Sequence, residues 1–194
     1  MGAPIGLVLA GGLGRRMGRS KGELELDGRP LAERAASVLQ PLCTGLLVSI
    51  RAGAANPAPA CAAVEDPPPP GRGPLAGIEA AFAATARFDL LVLACDYLHL
   101  ESRLLRGLLE RAEDEAEVVV PVDGGGRVHP LVGLWRRSTE SRLREALADG
   151  RYKVGDFLAE CRVARLGPEE FPEIDLDGQL VNANRPGDLP RGRT

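Results

Sequence analysis

Short apolar runs alternate with amphipathic stretches through the first half of the chain. The first run, Ile5–Ala10, is continuous and ends at glycine, which fits a strand buried on both faces of a parallel sheet. The predicted strands are Ile5–Ala10, Gly45–Ile50, Cys61–Glu65 and Leu90–Ala94, and the predicted helices are Pro30–Leu42, one beginning at Pro74, and Ser102–Ala112. Strands that alternate with helices imply a parallel α/β sheet.

The second half of the chain continues this alternation with one interruption. Apolar runs at Val118–Val122 and Val128–Leu134 flank the polar segment Asp123–Arg127, which indicates a hairpin or a small β excursion near residues 118–134. The remaining predicted elements are helices over Thr139–Ala148 and Val154–Glu160 and a strand over Arg162–Leu166. We therefore expect an α/β fold that is Rossmann-like, with a mostly parallel sheet flanked by helices.

Length and charge narrow the class of protein. A chain of 194 residues fits one domain of the usual size, about 100–200 residues, so residues 1–194 are expected to form a single domain. The net charge of −3 gives no general affinity for nucleic acid. No apolar run approaches the roughly 18 residues of a membrane span, and no basic leader precedes the first strand. We expect a cytoplasmic protein that binds neither nucleic acid nor membrane.

The segment that follows the first strand is glycine-rich and basic. Glycines such as Gly12 and Gly14 lack a Cβ, so the backbone can turn tightly and direct several N–H groups at one anion. Arg15, Arg16 and Lys21 add positive charge around that anion. A loop of this composition predicts a bound nucleoside polyphosphate.

Two better-known phosphate loops fit this segment poorly. A P-loop needs Gly-Lys followed by a hydroxyl residue, whereas Lys21 follows Ser20 and precedes Gly22. The dinucleotide-binding fingerprint needs a third glycine where Met17 stands. The clustered cations also suit a triphosphate better than the pyrophosphate of a dinucleotide. An NAD-binding domain is therefore disfavoured.

An aspartate follows the strongly apolar strand predicted in the middle of the chain. Asp96 comes two residues after Ala94, and ligands of open α/β sheets bind just outside the carboxyl ends of the strands. A carboxylate there can coordinate Mg²⁺, which commonly binds one or two carboxylates together with substrate phosphates. Capping of the helix near Ser102 is a poorer explanation, because five residues intervene. We therefore predict that Asp96 is a ligand of Mg²⁺.

A set of sequence blocks resembles one enzyme family. The blocks follow in order over almost the whole chain: Leu9-Ala10-Gly11-Gly12, Arg16-Met17-Gly18 with Lys21, Glu65-Asp66, Gly73-Pro74-Leu75-Ala76-Gly77-Ile78, Leu93-Ala94-Cys95-Asp96, His129-Pro130-Leu131 and Asn182-Ala183-Asn184-Arg185-Pro186. The opening blocks are similar to the signature of nucleotidyltransferases with the nucleotide-diphospho-sugar transferase fold. The ordered set resembles the molybdenum cofactor guanylyltransferases.

This resemblance implies a reaction and its partners. The terminal phosphate of molybdopterin would attack the α-phosphorus of GTP, giving the dinucleotide cofactor and pyrophosphate. Because two anions must meet, cations and oriented N–H groups have to neutralise them, and Lys21, Arg16 and the loop amides are predicted to do so. Mg²⁺ on Asp96 would act as the Lewis acid. Transient contact with molybdenum-insertion proteins and apo-molybdoenzymes would also be expected.

The resemblance assigns further binding residues. Those expected beside the purine and ribose are Leu9, Ala10 and Gly11. Asp66 would also touch the nucleotide, although an aspartate before a proline run can simply begin a turn. Asn182 and Asn184 lie two residues apart, so in an extended segment both amides point the same way. We assign both to the acceptor site, with turn chemistry before a proline as the alternative.

Two positions depart from the family pattern. Arg51 stands close to the place of an expected asparagine, and its side chain can only donate hydrogen bonds. Leu98 replaces the proline that usually stands two residues after the metal-binding aspartate. Cytidylyl transfer to the same pterin therefore stays open, as does transfer to a sugar phosphate by another nucleotidyltransferase. The alternative from another class is a non-catalytic nucleotide-binding scaffold in cofactor delivery.

Overall fold

The computed structural model describes residues 2–11 and 21–183. The strands in these ranges are β1 (Ile5–Leu9), β2 (Glu25–Leu26), β3 (Arg29–Pro30), β4 (Gly45–Ile50), β5 (Ala62–Glu65), β6 (Leu90–Ala94), β7 (Val118–Pro121), β8 (Val132–Trp135) and β9 (Val163–Leu166). The α-helices are α1 (Leu31–Leu39), α2 (Pro74–Ala84), α3 (Ser102–Glu110), α4 (Glu140–Ala148), α5 (Val154–Ala159) and α6 (Leu176–Gln179). Single 3₁₀ turns form at Lys21–Glu23, Gln40–Leu42 and Arg137–Thr139.

The larger strands form one sheet in the order β5-β4-β1-β6-β8-β7-β9. Central strand β1 pairs in parallel with β4 and with β6, so that Ile5 lies between Gly45 and Leu90. Strand β8 runs antiparallel to both of its neighbours, β6 and β7. The predicted β excursion near residues 118–134 is the hairpin formed by β7 and β8, and both strands extend the main sheet. The mostly parallel α/β sheet is confirmed.

Helices cover both faces of the sheet and bury two apolar clusters. On one face, Leu31 and Leu39 of α1 and Leu104 of α3 pack against the strands. On the other face, α2, α4 and α5 bury residues such as Phe82 and Phe157. The ring of Trp135 stacks on Phe157 with centroids 5.8 Å apart. The strands read as continuous apolar runs because both of their faces are covered.

The predicted elements differ from the observed ones mainly at their ends. The helix predicted over Pro30–Leu42 stops at Leu39, because Pro41 has no N–H for the helical ladder, and Gln40–Leu42 forms a 3₁₀ turn instead. The short β2–β3 hairpin was not predicted. Its turn places Asp27 and Gly28 at φ of 53° and 73°, and two-residue strands are too short to show a period in the sequence.

One edge of the sheet gathers the segments that carry polar residues. The carboxyl ends of β1, β4, β5 and β6 meet there, and antiparallel β8 contributes its amino end. Ligands of open α/β sheets bind at such an edge. Within residues 2–11 and 21–183, no helix combines the length and apolar character needed to cross a lipid bilayer.

Candidate functional site

A cavity of about 390 Å³ opens at this edge of the sheet, and we call it the sheet-edge cavity. Its lining includes Leu9, Gly11, Lys21, Ser49, Arg51, Asp66, Pro70, Gly71, Gly73, Pro74, Ala94, Cys95, Asp96 and Leu131. Five of the predicted site residues are therefore brought to one cavity: Leu9, Gly11, Lys21, Asp66 and Asp96. Ala10 is buried, and its N–H donates to the Ser49 carbonyl at 3.2 Å.

One end of the sheet-edge cavity carries an ion pair. Lys21 Nζ lies 2.9 Å from Asp96 Oδ2 and also donates to the Ala183 carbonyl at 3.3 Å. The side chains of Lys21 and Asp96 are 22% and 14% exposed, so the pair is sheltered but reachable from the cavity. A sheltered ammonium that keeps some exposure can bind a phosphate that enters the cavity.

The segment that contains Asn182 is hydrogen-bonded to the loop that contains Asp96. The Ala183 N–H donates to the Asp96 carbonyl at 2.9 Å, and Asn182 forms an antiparallel bridge with Tyr97. Asn182 therefore lies beside the loop that carries the proposed metal ligand, although it is far from Tyr97 in the sequence. The expected extended conformation is present at Asn182, and its role in binding an acceptor stays a prediction.

The opposite end of the cavity carries a second carboxylate. The Ser49 hydroxyl donates to Asp66 Oδ1 at 2.7 Å. Burial raises the pKa of Asp66, while the Ser49 hydrogen bond and the charges of Arg72 and Arg51 act in the opposite direction. The backbone at Gly11 passes close to this carboxylate, since a Cβ added there would lie 3.0 Å from Asp66 Oδ2. Asp66 therefore lines the cavity with its carboxylate held by Ser49, and its contact with a nucleotide stays a prediction.

Helix α2 begins at the wall of the cavity. Gly73 precedes the helix with φ of 71°, a conformation that favours glycine, and Pro74 occupies the first helical position. The N-terminal N–H groups of a helix carry partial positive charge. The loop that follows Asp66 contributes Pro70, Gly71 and Gly73 to the cavity lining, and Arg72 in this loop donates to the Pro67 carbonyl at 3.4 Å. This wall therefore favours an anionic ligand.

Asp96 fits the chemistry of a shared metal site. In the part of the chain that the structure describes, no three His, Cys, Asp or Glu side chains come together as a metal-binding group. A Mg²⁺ ion needs no such group, because it commonly takes one or two carboxylates and completes its shell with phosphate oxygens and water. The residues present therefore match a Mg²⁺ ion bound jointly by Asp96 and a phosphorylated ligand.

Ser49 was missed as a site residue, while Arg51 was noted only as a departure. Ser49 is 2% exposed and supports Asp66 from within β4. The signal was present, because Ser49 is the one hydroxyl residue in the apolar run Gly45–Ile50. The side chain of Arg51 lines the cavity directly after β4. The other predicted residues, Gly12, Gly14, Arg15, Arg16 and Asn184, lie outside the described residues, so their assignments stay predictions.

Comparison with known proteins shows which family the chain belongs to. The family profile of the MobA-like NTP transferase domain matches residues 6–164. The chain belongs to this family. A molybdenum cofactor guanylyltransferase of Cereibacter sphaeroides is 38% identical over 195 residues, covering 98% of this chain and 95% of that protein. A molybdenum cofactor guanylyltransferase of Pseudomonas fluorescens is 37% identical, covering 93% of this chain and 88% of its own length.

Solved structures of MobA-like and related proteins share the fold. The molybdopterin-guanine dinucleotide biosynthesis protein A of Archaeoglobus fulgidus superposes with a TM-score of 0.76 and 25% identity, and covers 95% of this chain and 94% of that chain. The 2-C-methyl-D-erythritol 4-phosphate cytidylyltransferase of Thermus thermophilus gives a TM-score of 0.67 at 18% identity, covering 94% of each chain. The second likeness concerns the fold alone. The MobA-like chain is thus a nucleotidyltransferase by family.

Proposed function

We propose that this MobA-like chain transfers GMP from GTP to the terminal phosphate of molybdopterin, forming the dinucleotide cofactor and releasing pyrophosphate. The observation that carries the proposal is the contact of Lys21 with both Asp96 and Ala183 at one end of the sheet-edge cavity. This contact joins the end of the cavity that we propose binds phosphates to the segment that contains Asn182. The names of relatives at 37–38% identity support the choice of substrates.

The two ends of the sheet-edge cavity divide the work of binding. Gly11 and the Asp66 carboxylate would contact the nucleoside, since a carboxylate accepts hydrogen bonds from the N–H groups of a guanine or from ribose hydroxyls. Lys21 would hold the phosphates at the other end. Developing negative charge on the departing pyrophosphate needs cations that are already in place, and a half-buried ammonium supplies this better than a solvated one.

A direct displacement needs no protein nucleophile. The acceptor phosphate attacks the α-phosphorus, and the bond from that phosphorus to the pyrophosphate oxygen breaks, so the chain only has to position and neutralise the reactants. Asn182 would orient the acceptor next to Asp96 without adding charge. Asp96 would hold Mg²⁺, which supplies charge neutralisation of the phosphates when bound. The product would pass to molybdenum-insertion proteins and apo-molybdoenzymes in the cytoplasm.

Pyrophosphate release tests the proposed function. Wild type is assayed with GTP or CTP, with Mg²⁺ present or omitted, and with molybdopterin added or omitted. We expect release that requires GTP, Mg²⁺ and molybdopterin. Asp96→Asn and Lys21→Met should each lower kcat by about 10²–10³, because each removes a group that stabilises transition-state charge. The exposed Asp114 offers a matched control, and Asp114→Asn should behave as wild type.

The other outcomes separate the alternatives. Release with CTP alone would assign the chain to cytidylyl transfer, which the donor-only side chain of Arg51 left open. Pyrophosphate release that requires a sugar phosphate instead of molybdopterin would contradict the proposal that molybdopterin is the acceptor. Tight binding of GTP without any turnover would favour a scaffold and would contradict the proposed reaction.

A further inference from the structure

A buried histidine links two polar side chains that are not part of the lining of the sheet-edge cavity. His129 is 1% exposed, its Nδ1 lies 3.1 Å from the Tyr97 hydroxyl, and its Nε2 lies 3.0 Å from Asp123 Oδ2. The rings of Tyr97 and His129 also meet edge to face, with centroids 5.8 Å apart and planes at 71°. Both ring nitrogens are therefore engaged, and none of these three side chains lines the cavity.

Asp123 determines which nitrogen of His129 carries the proton. Asp123 Oδ1 accepts the N–H groups of Gly125 and Arg127 at 3.0 and 2.9 Å. The hydrogen bond from His129 and these backbone N–H groups lower the pKa of Asp123, so that its carboxylate only accepts hydrogen bonds. His129 Nε2 must therefore donate, and in the neutral ring Nδ1 accepts the Tyr97 O–H.

The three side chains hold the loop and the segment that meet at Asp96. Tyr97 directly follows Asp96, and its backbone bridges to Asn182. The turn that contains Asp123 also contacts the chain shortly before Asn182, since the Gly124 N–H donates to Asp177 Oδ1 at 2.7 Å. A shift of this turn would therefore move both strands of the Tyr97–Asn182 bridge.

We propose that Asp123, His129 and Tyr97 are positioning residues that fix the Tyr97–Asn182 bridge, and thereby the acceptor side of the active site. The inference rests on the proposed function, because it uses the acceptor role of Asn182. None of the three residues lines the sheet-edge cavity, so in the proposed reaction they would not touch either substrate. Their effect would reach the reaction through the backbone. Residues that hydrogen-bond to a ligand-binding side chain orient it in a similar way without touching the ligand. The nucleoside end is held by other groups, since Asp66 accepts the Ser49 hydroxyl and lies close to Gly11.

Separate measurements of the two substrates test this arrangement. Tyr97→Phe removes one hydroxyl and keeps the ring, and Asp123→Asn replaces the acceptor-only carboxylate with an amide that can reverse the direction of the His129 hydrogen bonds. The KM for molybdopterin and kcat are measured with saturating GTP and Mg²⁺, and the Kd for GTP is measured by calorimetry without acceptor. Thermal unfolding of each variant reports its stability.

We expect each variant to raise the KM for molybdopterin about threefold to tenfold, the effect of losing one buried hydrogen bond, with the Kd for GTP within about twofold of wild type. The variant with both substitutions should raise the KM for molybdopterin no more than the more harmful single substitution does, because both changes break the same chain of hydrogen bonds. The chain holds one further tyrosine and one further histidine, both exposed. Tyr152→Phe and His99→Gln therefore serve as controls and should leave all parameters unchanged.

Two results would overturn the inference. One is a lower unfolding temperature with an unchanged KM for molybdopterin, which would give the three residues a purely structural role. The other is an equal weakening of GTP and molybdopterin binding. Either result is distinct from failure of the proposed function, because that failure shows in wild type as a lack of molybdopterin-dependent turnover.

Discussion

Substitution of Gly77 by alanine should both destabilise the protein and weaken nucleotide binding. Gly77 is buried in α2, where the helix crosses the strand ends that form the site. A Cβ added there would overlap the Ser49 hydroxyl and would lie 2.9 Å from Ser49 Cβ and 3.0 Å from Leu9 Cδ2. Ser49 would have to move, and the hydrogen bond that it donates to Asp66 at 2.7 Å would be lost.

Three contributions give the expected magnitude. Alanine in place of glycine in a helix gains about 1 kcal/mol. Overpacking of a tight core position costs about 1–3 kcal/mol, and loss of a hydrogen bond to a charged group costs about 1.5–3 kcal/mol. We therefore expect Gly77→Ala to lower the free energy of unfolding by about 1.5–5 kcal/mol. The Kd for GTP should rise as well, since Asp66 loses the donor that holds it.

Urea unfolding at neutral pH, together with calorimetric titration of GTP, measures both effects. Gly155→Ala is the matched control, because Gly155 is an exposed helical glycine in α5 with nothing within 4 Å of an added Cβ. This control should be more stable than wild type by about 0.4–1 kcal/mol. A Gly77→Ala variant that equals wild type in both stability and GTP affinity would refute the packing of α2 on Ser49.

Two carboxylates give predictions of opposite sign. Burial raises the pKa of Asp66, so the native state keeps its proton to a higher pH than the unfolded state does, and the free energy of unfolding falls as pH rises through that interval. Asp66→Asn should therefore stabilise the protein above this pH interval and not below it, and it should weaken GTP binding. Urea unfolding at a series of pH values measures the change in stability, and a pH profile equal to that of wild type would contradict the prediction. Burial acts to raise the pKa of Glu117 too, but hydrogen bonds from the Arg162 N–H and Arg142, with the charges of both arginines, hold that pKa below its usual range. Glu117→Gln should lower the free energy of unfolding by about 1–3 kcal/mol at neutral pH. This difference from wild type should shrink as pH falls through the lowered pKa, because protonated wild-type Glu117 also lacks the charge. A difference that persists in acid would contradict the role of the ion pairs.

Most of the secondary structure follows from local pattern. The bounds predicted for Gly45–Ile50 and Leu90–Ala94 are those observed: Leu90–Ala94 is apolar and buried throughout, and Gly45–Ile50 is apolar except for Ser49 and is buried from Leu47 onward. In α2, Leu75 and Ile78 are buried as their helical spacing predicts. The pattern of residues 118–134 predicts a hairpin or a small β excursion, but the place of β7 and β8 inside the main sheet depends on contacts between distant segments.

The sequence by itself determined the family, the α/β class and the location of the candidate site at the carboxyl ends of the strands. The family follows from the resemblance of the ordered sequence blocks, and the α/β class follows from periods of two to four residues, which are local. Only the tertiary structure decided which side chains cooperate. Lys21 reaches Ala183 across 162 positions, and Gly77 makes room for Ser49 across the helix–sheet interface. Such contacts arise from the packing of whole elements, so no local pattern in the chain encodes them.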